Sequence, residues 1–242
     1  MAQQKRHSAP KRKFSSAHKR KKKTKLQFYW LESAVLLVLA AAIILRISDF
    51  VKERNAEPVK KVVQDAPEYD VQLLTVNEYS RPGIERDEIN GIVIHYTANP
   101  GSTAQQNRDY FEGLKDTHTT KASSHFIIGL EGEIIQCIPT SEIAYASNNR
   151  NSDTISIECC HEDETGEFNE ETYDSLVHLV AWLCGKFDLD TDDVIRHYDV
   201  TGKECPLYFV EHEDAWEQFK EDIDTYIDTY GEEVDEAEEN SG

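Results

Sequence analysis

Apolar and polar positions fall in blocks along this chain, and the period changes from block to block. Leu26 to Leu45 (LQFYWLESAVLLVLAAAIIL) is twenty residues long and its last thirteen carry no charge, enough to cross the hydrocarbon core of a bilayer as a helix. GIVIHYT, from Gly91, is a short continuous apolar run ending in a histidine, as expected of a central strand buried on both faces. A helical pattern runs from Ser102 to about Lys115, with Ser102 as its cap. HFIIGLEGEIIQCI then offers two β-rich runs around Glu131-Gly132, which reads as a hairpin, and TISIECC reads as a further strand. Between Glu170 and Phe187 the apolar positions Tyr173, Leu176, Val177, Val180, Leu183, Cys184 and Phe187 recur at three and four, giving a helix with one apolar face. DVIRHYDV is a last short strand or loop, and HEDAWEQFKEDIDTYIDTY a C-terminal helix. Interleaved strands and helices of this kind predict an α/β fold, a single domain with a central mixed β-sheet flanked by helices, preceded by one transmembrane helix.

Charge divides the chain further. Eleven basic residues lie between Lys5 and Lys25 with no acidic residue among them, whereas from Val51 onward 14 basic residues face 44 acidic ones, a net of −30. So acidic a body excludes a nucleic-acid surface on the folded part. The basic tail, followed by Phe28, Tyr29 and Trp30 as an interfacial aromatic belt, predicts a signal anchor with a cytoplasmic N-terminus and an extracellular body. Ala40-Ala41-Ala42 leaves the alternative of secretion after signal cleavage. The expected organisation is a basic cytoplasmic tail (1–25), a membrane anchor (26–47), an extracellular linker (48–68), a catalytic domain (69–230) and an acidic disordered tail (231–242). Five cysteines in a body placed outside the membrane are an odd number, so one needs a role other than internal pairing. Spacing leaves open whether Cys159 or Cys160 pairs with Cys137 or Cys184.

Three residues carry the candidate chemistry: His95 at a strand end, His197, and Cys205 eight residues later. Two imidazoles and a thiolate suit zinc, and three protein ligands leave the fourth tetrahedral position open for water, which points to catalysis rather than scaffolding. Their spacing alone matches no short metal motif.

The surrounding residues resemble the type 2 amidase family. GIVIHYTANPG looks like its first metal-ligand strand, ASSHFIIGLEGEI like its central hairpin, NSDTISIE like its glutamate strand and RHYDVTGKECP like its closing metal-ligand segment, over roughly Val71 to Trp216. The resemblance implies Zn2+ held by His95, His197 and Cys205, and hydrolysis of the amide between N-acetylmuramic acid and L-alanine in peptidoglycan. It implies Glu158 as the catalytic base, on the strand face opposite Ile157 and Cys159, and Lys203 as a cation over the developing oxyanion. Some family members have a catalytic tyrosine before the hairpin histidine. Ser124 stands there in this chain, which puts more weight on Glu158. His125 is expected either to contact substrate, to orient a ligand or to pack. Asn149, Arg150 and Asn151 are expected to bind substrate by directional hydrogen bonds or to form a plain polar loop, and Asp199 to support an imidazole. A non-catalytic peptidoglycan-binding module of the same fold is the alternative, disfavoured by the presence of Cys205.

Overall fold

The computed structural model describes residues 30, 37–48 and 60–234, in two compact units divided after Pro58. In the first unit, residues 37–48 are helical (α1) with every side chain exposed. Among the described residues no helix is long and apolar enough to cross a membrane. The basic tail, and residues 26–29 and 31–36 of the expected anchor, lie outside the described residues.

The second unit is built on a six-stranded mixed sheet. Its strands are β2 (Asp70–Val71), β3 (Ile92–Tyr96), β4 (Phe126–Ile128), β5 (Ile134–Gln136), β6 (Ile155–Cys159) and β7 (Val194–Arg196), in the order β2-β5-β4-β6-β3-β7. Only the β4–β5 pair is antiparallel, the expected hairpin. Gly132 makes its turn possible with φ +76°, and a Cβ there would come within 2.8 Å of the Glu171 carbonyl oxygen. β3 is buried on both faces as its apolar run predicts, but it is next to the edge strand β7 rather than central.

Alternation sorts the strand side chains between two cores. Ile92, Ile94, Ile155, Ile157 and Cys159 enter one core with α3 (Glu170–Phe187) and α6 (Glu213–Tyr230). Ile127 and Ile135 enter the other with Phe111 and Leu114 of α2 (Ala104–Thr117). The helical span of α3 matches its sequence pattern, yet burial runs without a break from Leu179 to Cys184 because α6 and the sheet enclose it from two sides. α2 is capped by Thr103 rather than Ser102, in a capping box with Gln106. Ser102 instead donates its hydroxyl to the Asn99 carbonyl, 2.7 Å away.

The ends of this unit differ from the sequence expectation. Lys61–Val62 (β1) pairs antiparallel with Glu232–Glu233 (β8), and Val63 is buried in the core. Residues 60–68 of the expected linker and 231–234 of the expected acidic tail therefore join the folded body, held in part by ion pairs from Lys60 to Asp188 and from Lys61 to Asp228. Residues 235–242 lie outside the described residues.

Candidate functional site

The site opens on the α2 side of the sheet. His95 is the fourth residue of β3, so its side chain leaves the sheet on the face opposite Ile92 and Ile94 and is 2 % exposed. Glu158 of β6 is its aligned neighbour across the parallel pair. His197 opens the short helix α4 (His197–Thr201), directly after β7. That helix start is fixed by buried Arg196, which donates to both oxygens of Asp199 at 2.9 and 3.1 Å, to the Phe209 carbonyl at 2.8 Å and to Glu213 at 2.7 Å. Gly202 ends α4 with φ +76°, and the chain turns back so that the Cys205 carbonyl accepts from Tyr198 N–H and its thiol lies beside His95.

The three side chains converge. One ligand atom from each of His95, His197 and Cys205 lies within 4.8 Å of the others, and all three residues are buried. Hydrogen bonding identifies which ring atoms face inward. His95 Nε2 meets Ser147 Oγ at 3.2 Å while its Nδ1 faces the Cys205 thiol at 3.8 Å. His197 Nε2 meets Asn148 Oδ1 at 3.3 Å, and its Nδ1 is buried with no hydrogen-bond partner. An Nε2–H donating to an oxygen leaves the Nδ1 lone pair free, the tautomer a metal needs. Burial, the other imidazole and Lys203 hold His95 well below the usual histidine range, and burial and Lys203 lower His197. Both rings are neutral at pH 7. Burial pushes the Cys205 thiol up to about 12, so taking up a cation there must displace its proton. The orphaned Nδ1 and this donor set fit a borderline-soft divalent ion.

Around the cluster lies a cleft of about 390 Å³, lined in part by His95, His197, Glu158, Lys203, Lys121 and Tyr145. A larger cavity of about 770 Å³, on the α3 and α6 side, contains none of the cluster residues. Burial raises the Glu158 carboxyl to about 8 against the pull of Lys203, and its Oε2 is buried without a partner.

The sequence profile of the N-acetylmuramoyl-L-alanine amidase family matches residues 85–207, half of the chain and all of the cluster. This chain belongs to that family. It is 37% identical over 168 residues to the amidase CwlL of Bacillus licheniformis, covering 64% of this chain and 46% of that protein. To the amidase BlyA of Bacillus subtilis (strain 168) it is 34% identical over 168 residues, covering 61% and 44%. The chain thus spans about half the length of the curated relatives it matches. The catalytic domain of XlyA superposes with a TM-score of 0.55 at 26% identity, covering 65% of this chain and 99% of that domain.

Not every residue expected at the site of this amidase-family chain is there. His95, His197, Cys205, Glu158 and Lys203 come together. His125 does not line the cleft. It is 1 % exposed, with Nδ1 against Ser156 Oγ at 2.9 Å and Nε2 against the Glu142 carbonyl and Arg86. Burial and the Arg86 charge lower it to about 3, so it is a neutral packing residue. Arg150 pairs with Asp153 at 2.9 Å and donates to the Asn90 carbonyl, away from the cleft, and Asn149 does not line it. Asn151 does line the cleft, but its Oδ1 accepts from the N–H groups of Ala146 and Ser147, at 3.0 and 2.6 Å. It holds the loop that carries Ser147 and Asn148 against the imidazoles. Asp199 supports Arg196, not an imidazole. The residues that sequence reasoning missed are Ser147 and Asn148. Asn148 adopts φ +54°, a conformation that asparagine tolerates better than most residues.

Proposed function

We propose that the folded body hydrolyses the amide between the lactyl group of N-acetylmuramic acid and L-alanine in peptidoglycan, with zinc held by Nδ1 of His95, Nδ1 of His197 and the Cys205 thiolate. The convergence of those three ligand atoms beside Glu158, in one cleft of a chain belonging to the amidase family, carries this reading. When bound, zinc would polarise the amide carbonyl and bring the pKa of water from about 15.7 to near 7.

The chain's own residues supply the rest. Glu158, unpartnered at Oε2 and aligned with His95, collects the proton of the attacking water and delivers it to the departing L-alanine nitrogen. Burial raises this carboxyl and Lys203 pulls it back down, opposed influences that suit a group asked both to take up and to release a proton. Lys203 lines the same cleft and places positive charge where the carbonyl oxygen becomes negative. Ser147 and Asn148 hold the two rings in the tautomer that presents Nδ1. Incubation with purified muropeptides should release peptides with a new L-alanine amino terminus and leave the glycan ending in a lactyl carboxyl. Cleavage between sugars, or within the peptide, would refute the assignment.

The same proposal anchors the body outside the cell membrane through residues 26–47. The uncharged run ending at Leu45, the eleven basic residues before it, and the exposed apolar side chains Leu37, Val38, Leu39, Ile43, Ile44 and Leu45 of α1 support this. Removing residues 1–47 should shift the protein from the membrane to the soluble fraction; continued membrane retention would count against the anchor.

A further inference from the structure

Lysines in the folded body are mostly paired, as its acidity dictates. Lys60, Lys61, Lys115 and Lys220 each meet a carboxylate. Among the described residues, three lysines form no ion pair: Lys121, Lys186 and Lys203. Lys186 lies over the Trp182 ring on α3. The other two both line the cleft, where Glu158 is the only acidic lining residue. In a body with 44 acidic residues against 14 basic ones, leaving two unpaired ammonium groups in one cleft makes it a local positive site within an acidic surface.

The two lysines occupy different places. Lys203 comes from the segment between α4 and Cys205 and is close enough to disfavour charge on both imidazoles. Lys121 comes from the segment leading into β4, with its Nζ 5.4 Å from the Tyr145 ring centroid and 6.0 Å from that of Tyr79. Those two rings hold the ammonium by cation–π attraction without neutralising it, so it keeps its full charge for an anion. Ala122 and Ser123, the next two residues, also line the cleft, as does Tyr145. A ligand reaching from the His95, His197 and Cys205 cluster along this lining meets an unpaired cation.

Resting on the amidase reading, we infer that Lys121 binds a free carboxylate on the peptide stem beyond L-alanine, so that the cleft selects stems bearing that acid over stems in which it is a carboxamide. The geometry gives the lysine no other partner of opposite charge, and a carboxamide would bring no charge to it. Lys121 acts here on specificity, away from the reacting bond.

Two N-acetylmuramoyl dipeptides test this, both with the C-terminal carboxyl capped as a methylamide and identical except that the second residue's remaining carboxyl is free in one and a primary carboxamide in the other. The zinc-loaded full chain should cleave the free acid with a KM about three- to fivefold lower, the size expected of one partly exposed charge pair, and with similar kcat. Lys121→Met should raise the KM for the acid to that for the amide and leave the amide unchanged. Lys121→Arg should restore the preference, and added salt should shrink it. Equal KM values in the parent, or an undiminished preference in Lys121→Met, would overturn the inference while leaving the amidase reading intact. If neither dipeptide is cut at the L-alanine amide, the reading itself falls and this inference with it.

Discussion

Replacing Glu158 with glutamine should lower kcat for muropeptide cleavage by roughly a hundred- to ten-thousand-fold, the range associated with loss of a positioned acid–base group. Glutamine keeps the volume and polarity of the side chain but can neither take up nor deliver a proton. Because Glu158 donates no ligand atom to the His95, His197 and Cys205 cluster, bound metal and KM should change little. This split is the informative part. A fall in KM-type binding or in metal content equal to the fall in kcat would show that Glu158 supports the site's architecture, and a variant as fast as the parent would remove it from the reaction. Folding should survive: the parent carboxyl is itself penalised by burial, and a neutral amide removes that penalty.

Cys205→Ala should abolish stable metal binding. Loss of a residue that merely supports a ligand costs roughly 10- to 100-fold in affinity, and removing one of three ligands outright should cost more. The variant, dialysed against metal-free buffer, should retain no stoichiometric zinc, as read by elemental analysis, and its cleavage rate should fall to background. Its thiol is buried and its backbone carbonyl, which accepts from Tyr198 N–H, is untouched by the change. The circular dichroism spectrum should therefore match the parent's, separating loss of metal from loss of fold. Full activity in Cys205→Ala would rule out the three-ligand site.

Where the signal was local, the sequence could be read. The opposite orientation of Glu158 to Ile157 and Cys159 follows from the period of two, and the structure places Ile157 and Cys159 in the core and Glu158 in the cleft. The span Glu170–Phe187 was legible for the same reason, since three- and four-residue spacing is a property of one segment. The capping box was present as Thr103 and Gln106, but Ser102 offered an equally good cap by residue type, and only the hydroxyl's bond to the Asn99 carbonyl decides between them.

What could not be read depends on contacts between distant segments. His125 sits in a motif-like context, yet Arg86, Glu142 and Ser156 enclose it from three separate parts of the chain. Asn149, Arg150 and Asn151 all looked like candidates for substrate binding. A left-handed turn at Asn148, set by loop geometry, instead sends Asn148 to His197, Arg150 to Asp153 and Asn151 back to the loop's own N–H groups. The pairing of Lys61–Val62 with Glu232–Glu233 joins segments about 170 residues apart, neither of which carries a strand pattern. Its acidic half reads as solvated chain because nothing local reveals the partner.

The most direct test strips the purified full chain of metal with a chelator, removes the chelator, and titrates zinc back while following release of peptide with a free L-alanine terminus. Cleavage should start from background and rise in proportion to added zinc, levelling off at about one ion per chain, as expected of a single site with three protein ligands. Stripped protein that cuts the same bond at the full rate would contradict the account.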